Sequence, residues 1–247
     1  RGSDHVTNTA TQIQMITALG GMLPAFAHHS LLTGPQGEAL SKRLGTLALR
    51  DLREQGVEPA ALLSQMARLG SSDPIELQDD LTAIAENFDL THFGSAPTKF
   101  DVDDLFPLTG RHLQTLEHSA LADEIAALGV PAGLSRQFWA VTRENITTRH
   151  DLAAWWTLFS QGADPVIETE DADFVAHAMT LLPTGQLDGE SWGAWTAEVK
   201  AATGRKGRGL FMPLRKALTG QQHGPDMSAL LPLLQVIKAR GLGLDNA

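Results

Sequence analysis

The sequence has no cysteine and no apolar run long enough to cross a membrane. Without cysteine there are no disulfides, no thiolate metal ligands and no cysteine nucleophile, and the chain suits a reducing compartment. A membrane-spanning helix needs about 20 consecutive apolar residues, and no stretch approaches that length. No charged-then-apolar leader stands at the front of the sequence either. We therefore expect a soluble protein without thiol chemistry.

The 247 residues carry a formal net charge of −10, with 43% hydrophobic and 19% charged residues. This balance supports a buried core and argues against intrinsic disorder. The length fits one large domain or two to three small ones. No period of about 20 to 50 residues repeats, which argues against a repeat protein. Because the first residue is Arg1 and not Met, we expect that the front of a longer protein is missing.

Apolar residues recur mainly at helical spacing, so the chain is predicted to be mostly helical. Two early helices are marked by leucines at 49 and 52 and from 62 to 69, with Pro59 in a first helical turn and Gly70 as a stop. Later helices are predicted at about residues 105–128, 135–146, 149–160, 171–181, 189–203, 209–219 and 226–240.

Strand and turn signals are few. The one modest alternating run, residues 25–32, predicts a small N-terminal sheet. Turn-forming residues at 94–98 and 161–165 predict connections between structural units.

A turn and a cationic loop follow the alternating run. The turn spans residues 34–37, and Ser41, Lys42 and Arg43 come soon after it. Such a loop can close over a phosphate chain, because Lys42 supplies a movable positive charge and Ser41 a hydrogen bond. The alternative is a solvated basic turn between a strand and a helix.

The first nine residues join a carboxylate and an imidazole, Asp4 and His5, to a helix start predicted at Thr7 or Asn8. A carboxylate at such a turn can hold ribose hydroxyls. The alternative is that Asp4 only complements the positive end of the helix dipole.

Positive charge is concentrated near the C-terminus of this acidic chain. Residues 205–216 contain five cations. Contacts to phosphates need clustered Lys and Arg even when the net charge is negative, and unstacked bases are read by Arg and aromatic side chains. The alternative is a solvated start of a helix. The five cations are Arg205, Lys206, Arg208, Arg215 and Lys216.

Histidine and tryptophan give weaker signals. His28 and His29 are adjacent, so on a strand they point to opposite faces and do not easily chelate one ion; we assign no metal site to the nine histidines. The five tryptophans lie in the C-terminal half at helical spacing and are predicted to be core residues.

Taken in order, these stretches resemble the C-terminal half of bacterial glutamyl-tRNA synthetases, a class I family. Residues 1–9 are similar to the family's Arg-Gly-x-Asp-His-x-x-Asn-Thr segment, and residues 39–43 to its Lys-x-Ser-Lys-Arg lysine loop. Ala39 stands where the family has its first lysine, whereas Lys42 keeps the second. Residues 204–220 look like the last part of the anticodon-binding domain.

The resemblance implies roles in adenylate formation for the first two segments. Arg1 would contact the glutamate substrate, and Asp4 with His5 would lie near ATP or the adenylate. Lys42 would stabilise the charge that develops on the triphosphate as the carboxylate attacks the α-phosphorus, which is electrostatic stabilisation and not acid–base work. Its neighbours Ser41 and Arg43 would support it.

The resemblance also implies the tRNA contacts. Arg215, the arginine of a Pro-Leu-Arg run, would contact the anticodon. Arg205, Lys206 and Arg208 are expected to bind the tRNA because they belong to the same cluster of cations.

The implied fold is mainly α, with a small N-terminal α/β remnant. Residues 1–45 would end the nucleotide-binding domain, 46–100 would contact the tRNA stem, and 101–165 and 166–247 would form two helical anticodon-binding subdomains. The implied activity is aminoacylation of tRNA(Glu) from L-glutamate and ATP, with Mg²⁺ held by ATP oxygens and no protein metal site. We expect a cytoplasmic monomer with no membrane partner.

This chain alone is expected to be inactive, because a lysine loop without the opposing half-site cannot hold ATP in attack geometry. Two other interpretations stay open. A stand-alone tRNA-binding module would bind RNA without catalysis, and an all-α scaffold for protein partners would have no basic face and no affinity for tRNA.

Overall fold

A computed structural model describes residues 1–38, 40 and 48–243 of the chain. The chain divides into two compact units, Arg1–Leu113 and Gln114–Ala247. Within the described ranges, no helix combines the length and the hydropathy needed to cross a bilayer.

The first unit carries helices and two very short strands. A 3₁₀ turn, Ser3–His5, leads into the first helix, and a second turn, Leu90–His92, precedes β2. The elements are α1 (Val6–Ala18), β1 (Leu32–Thr33), α2 (Leu49–Glu54), α3 (Pro59–Arg68), α4 (Leu81–Glu86), β2 (Thr98–Lys99) and α5 (Leu105–Thr115).

The predicted small sheet is present, but its first strand is shorter than the sequence predicts. β1 pairs in parallel with β2, with Leu32 opposite Thr98. The predicted strand over residues 25–32 is therefore wrong in extent, because residues 25–31 form only the isolated bridge between Gly2 and His29. A regular strand needs a neighbour along its whole length. Among the described residues, backbone hydrogen bonds join this segment only to residues 1–3 and, at Leu31, to Thr98.

The predicted boundaries of α3 are confirmed. Pro59 occupies the first turn, where its missing N–H costs nothing. The helix ends at Arg68, and Gly70 follows with a φ of +91°. A side chain at Gly70 would lie 2.9 Å from Thr98 Oγ1, so glycine also allows the chain to pass close to β2.

The core of the first unit is small. It forms where α2 and the loop after it meet β2 and α5, from Leu52, Val57, Phe100 and Leu105. Glu58, almost fully buried beside this core, donates its backbone N–H to Thr109 Oγ1 at 3.2 Å.

Over its described residues, the second unit contains helices and no strands. Its 3₁₀ turns are His118–Ala120, Arg143–Asn145, Thr169–Asp171, Leu231–Leu233 and Lys238–Gly243. Its α-helices are α6 (Ala122–Ala127), α7 (Ala132–Thr142), α8 (Asp151–Gln161), α9 (Ala172–Thr180), α10 (Ser191–Thr203), α11 (Arg208–Thr219) and α12 (Met227–Leu230).

Aromatic side chains fill the core of this unit, as their spacing predicts. Trp139, Trp155, Trp192 and Trp195 are buried, and Trp195 satisfies its indole N–H by donating to the Ala178 carbonyl at 2.9 Å. Trp156 differs, because it is only half-buried and packs edge-on against Phe138.

The continuous helix predicted over residues 226–240 is wrong. Asp226 caps α12 by accepting from the Ser228 N–H, but α12 ends at Leu230 and a 3₁₀ turn replaces it. Pro232 is the physical reason, because it has no N–H to donate to the Ser228 carbonyl and its ring crowds that carbonyl. The backbone is extended at Leu234, and a second turn begins only at Lys238.

Candidate functional site

The first candidate site is the start of α1. The chain is held there beside residues 27–29: the Arg1 amino group donates to the Ala27 carbonyl at 3.0 Å, and the Ser3 N–H donates to the His29 carbonyl at 2.9 Å. The His29 N–H donates back to the Arg1 carbonyl at 2.8 Å. These bonds place the side chains of residues 1–5 at the exposed N-terminal end of the helix.

The predicted site residues stand together on this short segment. The Arg1 guanidinium donates to Gln12 Oε1 on α1. The Asp4 carboxylate lies 3.7 Å from His5 Nε2, and both side chains are open to solvent. A Cβ at Gly2 would lie only 2.5 Å from Asp4 Oδ1. Any larger residue at position 2 would therefore clash with the Asp4 carboxylate in its present position.

The helix start differs slightly from the predicted Thr7 or Asn8. The 3₁₀ turn Ser3–His5 runs directly into α1, which begins at Val6. The buried residue of α1 is Thr9, whose hydroxyl contacts the His5 carbonyl and His28 Nε2, both at 2.9 Å. Thr9 thus joins the helix start to the segment that precedes β1.

The histidines have separate partners. His28 contacts Thr9, whereas His29 Nδ1 lies 2.8 Å from the Ser30 carbonyl. Over residues 1–38, 40 and 48–243, no three His, Asp or Glu side chains are grouped so that they could hold a metal ion.

The turn before the lysine loop is confirmed. The Gly37 N–H donates to the Gly34 carbonyl at 2.9 Å, and the Gly34 N–H donates to the Glu38 carbonyl at 2.8 Å. Gly37 has a φ of +84°, which glycine adopts without strain. The predicted loop residues Ser41, Lys42 and Arg43, together with Ala39, lie outside the described residues.

The second candidate site is the basic stretch around α11, and two of its five cations form ion pairs within the fold. Arg205 pairs with Asp171, and its guanidinium carbon lies 4.0 Å from the centre of the Phe174 ring. Lys216 pairs with Glu168 and is only 8% exposed. These two cations therefore fasten α11 to the segment that leads into α9.

Arg205 also serves the helix that follows it. Pro213, inside α11, cannot donate to the Gly209 carbonyl one turn earlier. Arg205 Nη1 lies 3.4 Å from that carbonyl and donates to it. The Arg205 guanidinium thus supplies the hydrogen bond that a residue with a backbone N–H at position 213 would have donated to the Gly209 carbonyl.

Lys206 and Arg208 behave differently, because both side chains are exposed at the start of α11. Among the described residues, neither has a hydrogen bond or an ion pair. They are the cations of the stretch that can meet an external anion without breaking an internal contact.

Arg215 is half-buried on the same helix. Its Nη2 donates to the Pro225 carbonyl at 2.7 Å, while its buried Nη1 has no hydrogen-bond partner in the described part of the chain. Burial lowers the pKa of this guanidinium, and the nearby Asp226 carboxylate opposes that shift. The side chain is held at one end and has donor capacity left at the other.

A glycine makes room for this arginine. A Cβ at Gly224 would lie 3.1 Å from Trp155 Cη2 and 3.3 Å from Arg215 Nη1, and Gly224 has a φ of +141°. The sequence reasoning did not identify Gly224, and it also missed the acidic partners Glu168 and Asp171. The sequence did contain a signal for these ion pairs, because acidic residues are clustered at 168–173 and an acidic run favours ion pairing with a basic helix.

Two known protein families match the two parts of the chain that contain the candidate sites. A family of class I tRNA synthetases for E and Q matches residues 1–106 through its catalytic domain, and an anticodon-binding domain matches residues 134–236. The "Glutamate--tRNA ligase 1" of Roseobacter denitrificans is 70% identical over 240 residues, which are 97% of this chain and 54% of that protein. The protein of the same name from Ruegeria pomeroyi is 69% identical over 241 residues, 98% of this chain and 54% of that protein.

The chain resembles the C-terminal part of glutamate–tRNA ligases. It spans about half the length of these curated relatives. A crystal structure of a glutamate tRNA ligase from Elizabethkingia meningosepticum, in complex with its amino acid, has the same fold over 99% of this chain and 55% of its own, with a TM-score of 0.77 and 21% identity. At that identity the likeness concerns the fold alone.

Replacing Gly224 with alanine is expected to destabilise the second unit by about 1–3 kcal/mol, because the new Cβ would press on Trp155 and Arg215 in a strained backbone conformation. Denaturant unfolding followed by tryptophan fluorescence measures this. Gly185→Ala is the matched control, because nothing lies within 4 Å of its Cβ position. Equal stability of the two variants would show that Gly224 is not needed for this packing.

Proposed function

We propose that this chain is the C-terminal part of a glutamate–tRNA ligase that binds tRNA(Glu) and supplies the lysine loop for ATP-dependent formation of glutamyl adenylate. The observation that carries the proposal is the 69–70% identity to glutamate–tRNA ligases along 97–98% of the chain. The order of the two family matches, catalytic domain first and anticodon-binding domain second, supports it.

In this proposal, the residues at the start of α1 bind glutamate and ATP. Arg1 binds the glutamate, and Asp4 and His5 lie beside ATP or the adenylate. Their exposure at the end of the helix supports the assignment, because ligand contacts need side chains that are open to solvent. The bonds between residues 1–3 and 27–29 hold the segment rigid, and rigidity lowers the entropy cost of positioning a substrate.

The lysine loop serves the triphosphate. Lys42, supported by Ser41 and Arg43, balances the negative charge that develops as the glutamate carboxylate attacks the α-phosphorus and pyrophosphate leaves. Mg²⁺ bound to ATP oxygens would neutralise further phosphate charge.

The basic stretch serves the tRNA. Lys206 and Arg208 contact phosphates, because they are exposed and have no internal partner among the described residues. Arg215, the arginine of the Pro-Leu-Arg run, contacts an anticodon base in this proposal, and its side chain is only half-buried. Arg205 contributes least, because Asp171 and Gly209 already use its guanidinium.

The proposal also assigns the other parts of the chain. The tRNA stem is contacted by residues 46–100, and the two helical anticodon-binding subdomains are formed by residues 101–165 and 166–247. The full-length protein works as a cytoplasmic monomer. The alternative is a stand-alone tRNA-binding module. Such a module would bind tRNA, but even in its full-length form it would have no second half-site opposite the lysine loop and therefore no catalytic activity.

The 247-residue chain by itself is expected to show no glutamate-dependent exchange of pyrophosphate into ATP. The chain spans only about half the length of its relatives, and a lysine loop without the opposing half-site cannot hold ATP in attack geometry.

In the full-length ligase, Lys42→Ala is expected to slow adenylate formation about 100-fold or more, as when one group that stabilises a transition-state charge is removed, and to leave tRNA affinity unchanged. Lys200→Ala, which removes an exposed lysine of α10, is the control. Equal losses of rate and tRNA affinity would reject the role of Lys42.

Changing Lys206 and Arg208 together to alanine is expected to flatten the salt dependence of tRNA binding. Each lost phosphate contact reduces the slope of log K against log salt by roughly 0.7 for single strands, and the preference among tRNAs should not change because phosphate contacts carry no sequence information. Filter binding at several salt concentrations measures both. Arg136→Ala, which removes an exposed arginine of α7, is the matched control, and an unchanged slope in the double variant would reject the phosphate contacts.

In the same assay, Arg215→Ala is expected to weaken binding of the cognate anticodon by about 1–3 kcal/mol and binding of an altered anticodon much less. A uniform loss across all transcripts would make Arg215 a phosphate contact.

A further inference from the structure

Residues 204–209, which join α10 to the first turn of α11, carry the exposed cations Lys206 and Arg208. The segment also contains three glycines, and a Cβ added to any of them would meet nothing within 4 Å: Gly204, Gly207 and Gly209. Glycine loses more conformational freedom on folding than any other residue. A segment so rich in glycine therefore needs an attachment to the rest of the unit to keep one conformation.

Arg205 supplies that attachment. Its guanidinium pairs with Asp171 and lies over the ring of Phe174 on α9. Among the described residues, no other hydrogen bond or ion pair joins residues 204–209 to anything beyond α10 and α11. The Asp171 side chain is only 17% exposed, and partly buried ion pairs are screened by salt less than surface pairs are.

The same guanidinium also fixes the start of α11. Pro213 leaves the Gly209 carbonyl without its backbone donor, and Arg205 Nη1 donates to that carbonyl at 3.4 Å. Lys206 and Arg208 lie between these two bonded positions in the chain. The position of their backbone therefore depends on where the Arg205 side chain is held.

We propose that Asp171 is a positioning residue for RNA binding. Asp171 holds Arg205 in place over Phe174. Arg205 in turn fixes the start of α11, from which Lys206 and Arg208 contact RNA phosphates. Fixing this segment before binding reduces the conformational entropy that binding removes. The inference rests on the proposed function for the claim that this stretch meets RNA.

A carboxylate in this role acts against the effect of its own charge. RNA is a polyanion, so removing an acid beside an RNA-binding surface strengthens the attraction by charge alone. If Asp171 positions Arg205, its removal weakens binding instead. The sign of the change in affinity therefore separates positioning from a purely electrostatic effect.

Filter binding of the 247-residue chain to tRNA(Glu) and to poly(U) measures that sign. Asp171→Ala is expected to weaken binding of both RNAs about threefold or more, because each flexible group immobilised on binding lowers affinity by about two- to tenfold. Glu170→Ala removes an exposed acid of the same turn and is the matched control, with affinity unchanged or higher. Unchanged or tighter binding by Asp171→Ala would overturn the proposal.

A neutral pair of variants covers the case in which Asp171→Ala does not fold, which circular dichroism detects. Asp171→Asn keeps an oxygen that accepts from Arg205, but a neutral amide holds a guanidinium less firmly than a carboxylate does. It is expected to weaken RNA binding, whereas Glu170→Gln is not. Equal affinities of these two variants would overturn the proposal.

Restoring the missing backbone donor gives a second readout. Pro213→Ala supplies an N–H for the Gly209 carbonyl, so the start of α11 depends less on Arg205. Arg205→Met is therefore expected to weaken RNA binding less in the Pro213→Ala background than in the wild-type background. A phosphate contact made by Arg205 itself would be lost equally in both backgrounds, and that result would overturn the proposal.

The two RNAs separate this inference from the proposed function. Phosphate contacts carry no sequence information, so the effect of Asp171→Ala is expected with poly(U) as well as with tRNA(Glu). Binding of poly(U) that depends on Asp171, without any preference for tRNA(Glu) over an unrelated tRNA, would keep the inference and reject the proposed function. A preference for tRNA(Glu) that Asp171→Ala leaves at full affinity would reject the inference alone, and no binding of either RNA would overturn both.

Discussion

Helix α11 has to be a core helix on one side and a basic surface on the other, and the second unit is arranged around that constraint. Leu210, Leu214 and Leu218 of α11 are buried. Lys216 is buried with them, and a buried cation is tolerated only when it is paired. Glu168 supplies the pair from the segment before α9. The cost of burying charge therefore fixes where that segment lies against the helix.

The same constraint separates the five cations by role. Arg205 and Lys216 hold the fold together through acids of the same unit, whereas Lys206 and Arg208 have no such partner among the described residues. Arg215 is intermediate, because the Pro225 carbonyl fixes one of its nitrogens and the other has no hydrogen-bond partner in the part of the chain that the structure describes. A basic run of sequence thus contains cations that pair within the fold and cations that do not, and only their contacts distinguish them.

Local signals were predictable from the sequence. The first turn of α3 at Pro59, the turn at residues 34–37 and the burial of four tryptophans follow from the conformational preferences and the apolar surface of single residues. Long-range pairing was not predictable, because Asp171 and Glu168 lie 34 and 48 residues from their cations. The helix predicted over 226–240 is wrong because apolar periodicity was given more weight than Pro232. The strand predicted over 25–32 is wrong in extent, because among the described residues only Leu32 of this run pairs with β2 in a regular ladder.

The central claim is that the chain is the tRNA-binding part of a glutamate–tRNA ligase. The most direct measurement is competition between tRNA(Glu) and a tRNA for an unrelated amino acid for the 247-residue chain at one fixed salt concentration. The account predicts a preference for tRNA(Glu) of about tenfold or more, equivalent to about 1.4 kcal/mol. Equal affinity for the two tRNAs, or no binding of either, would contradict it.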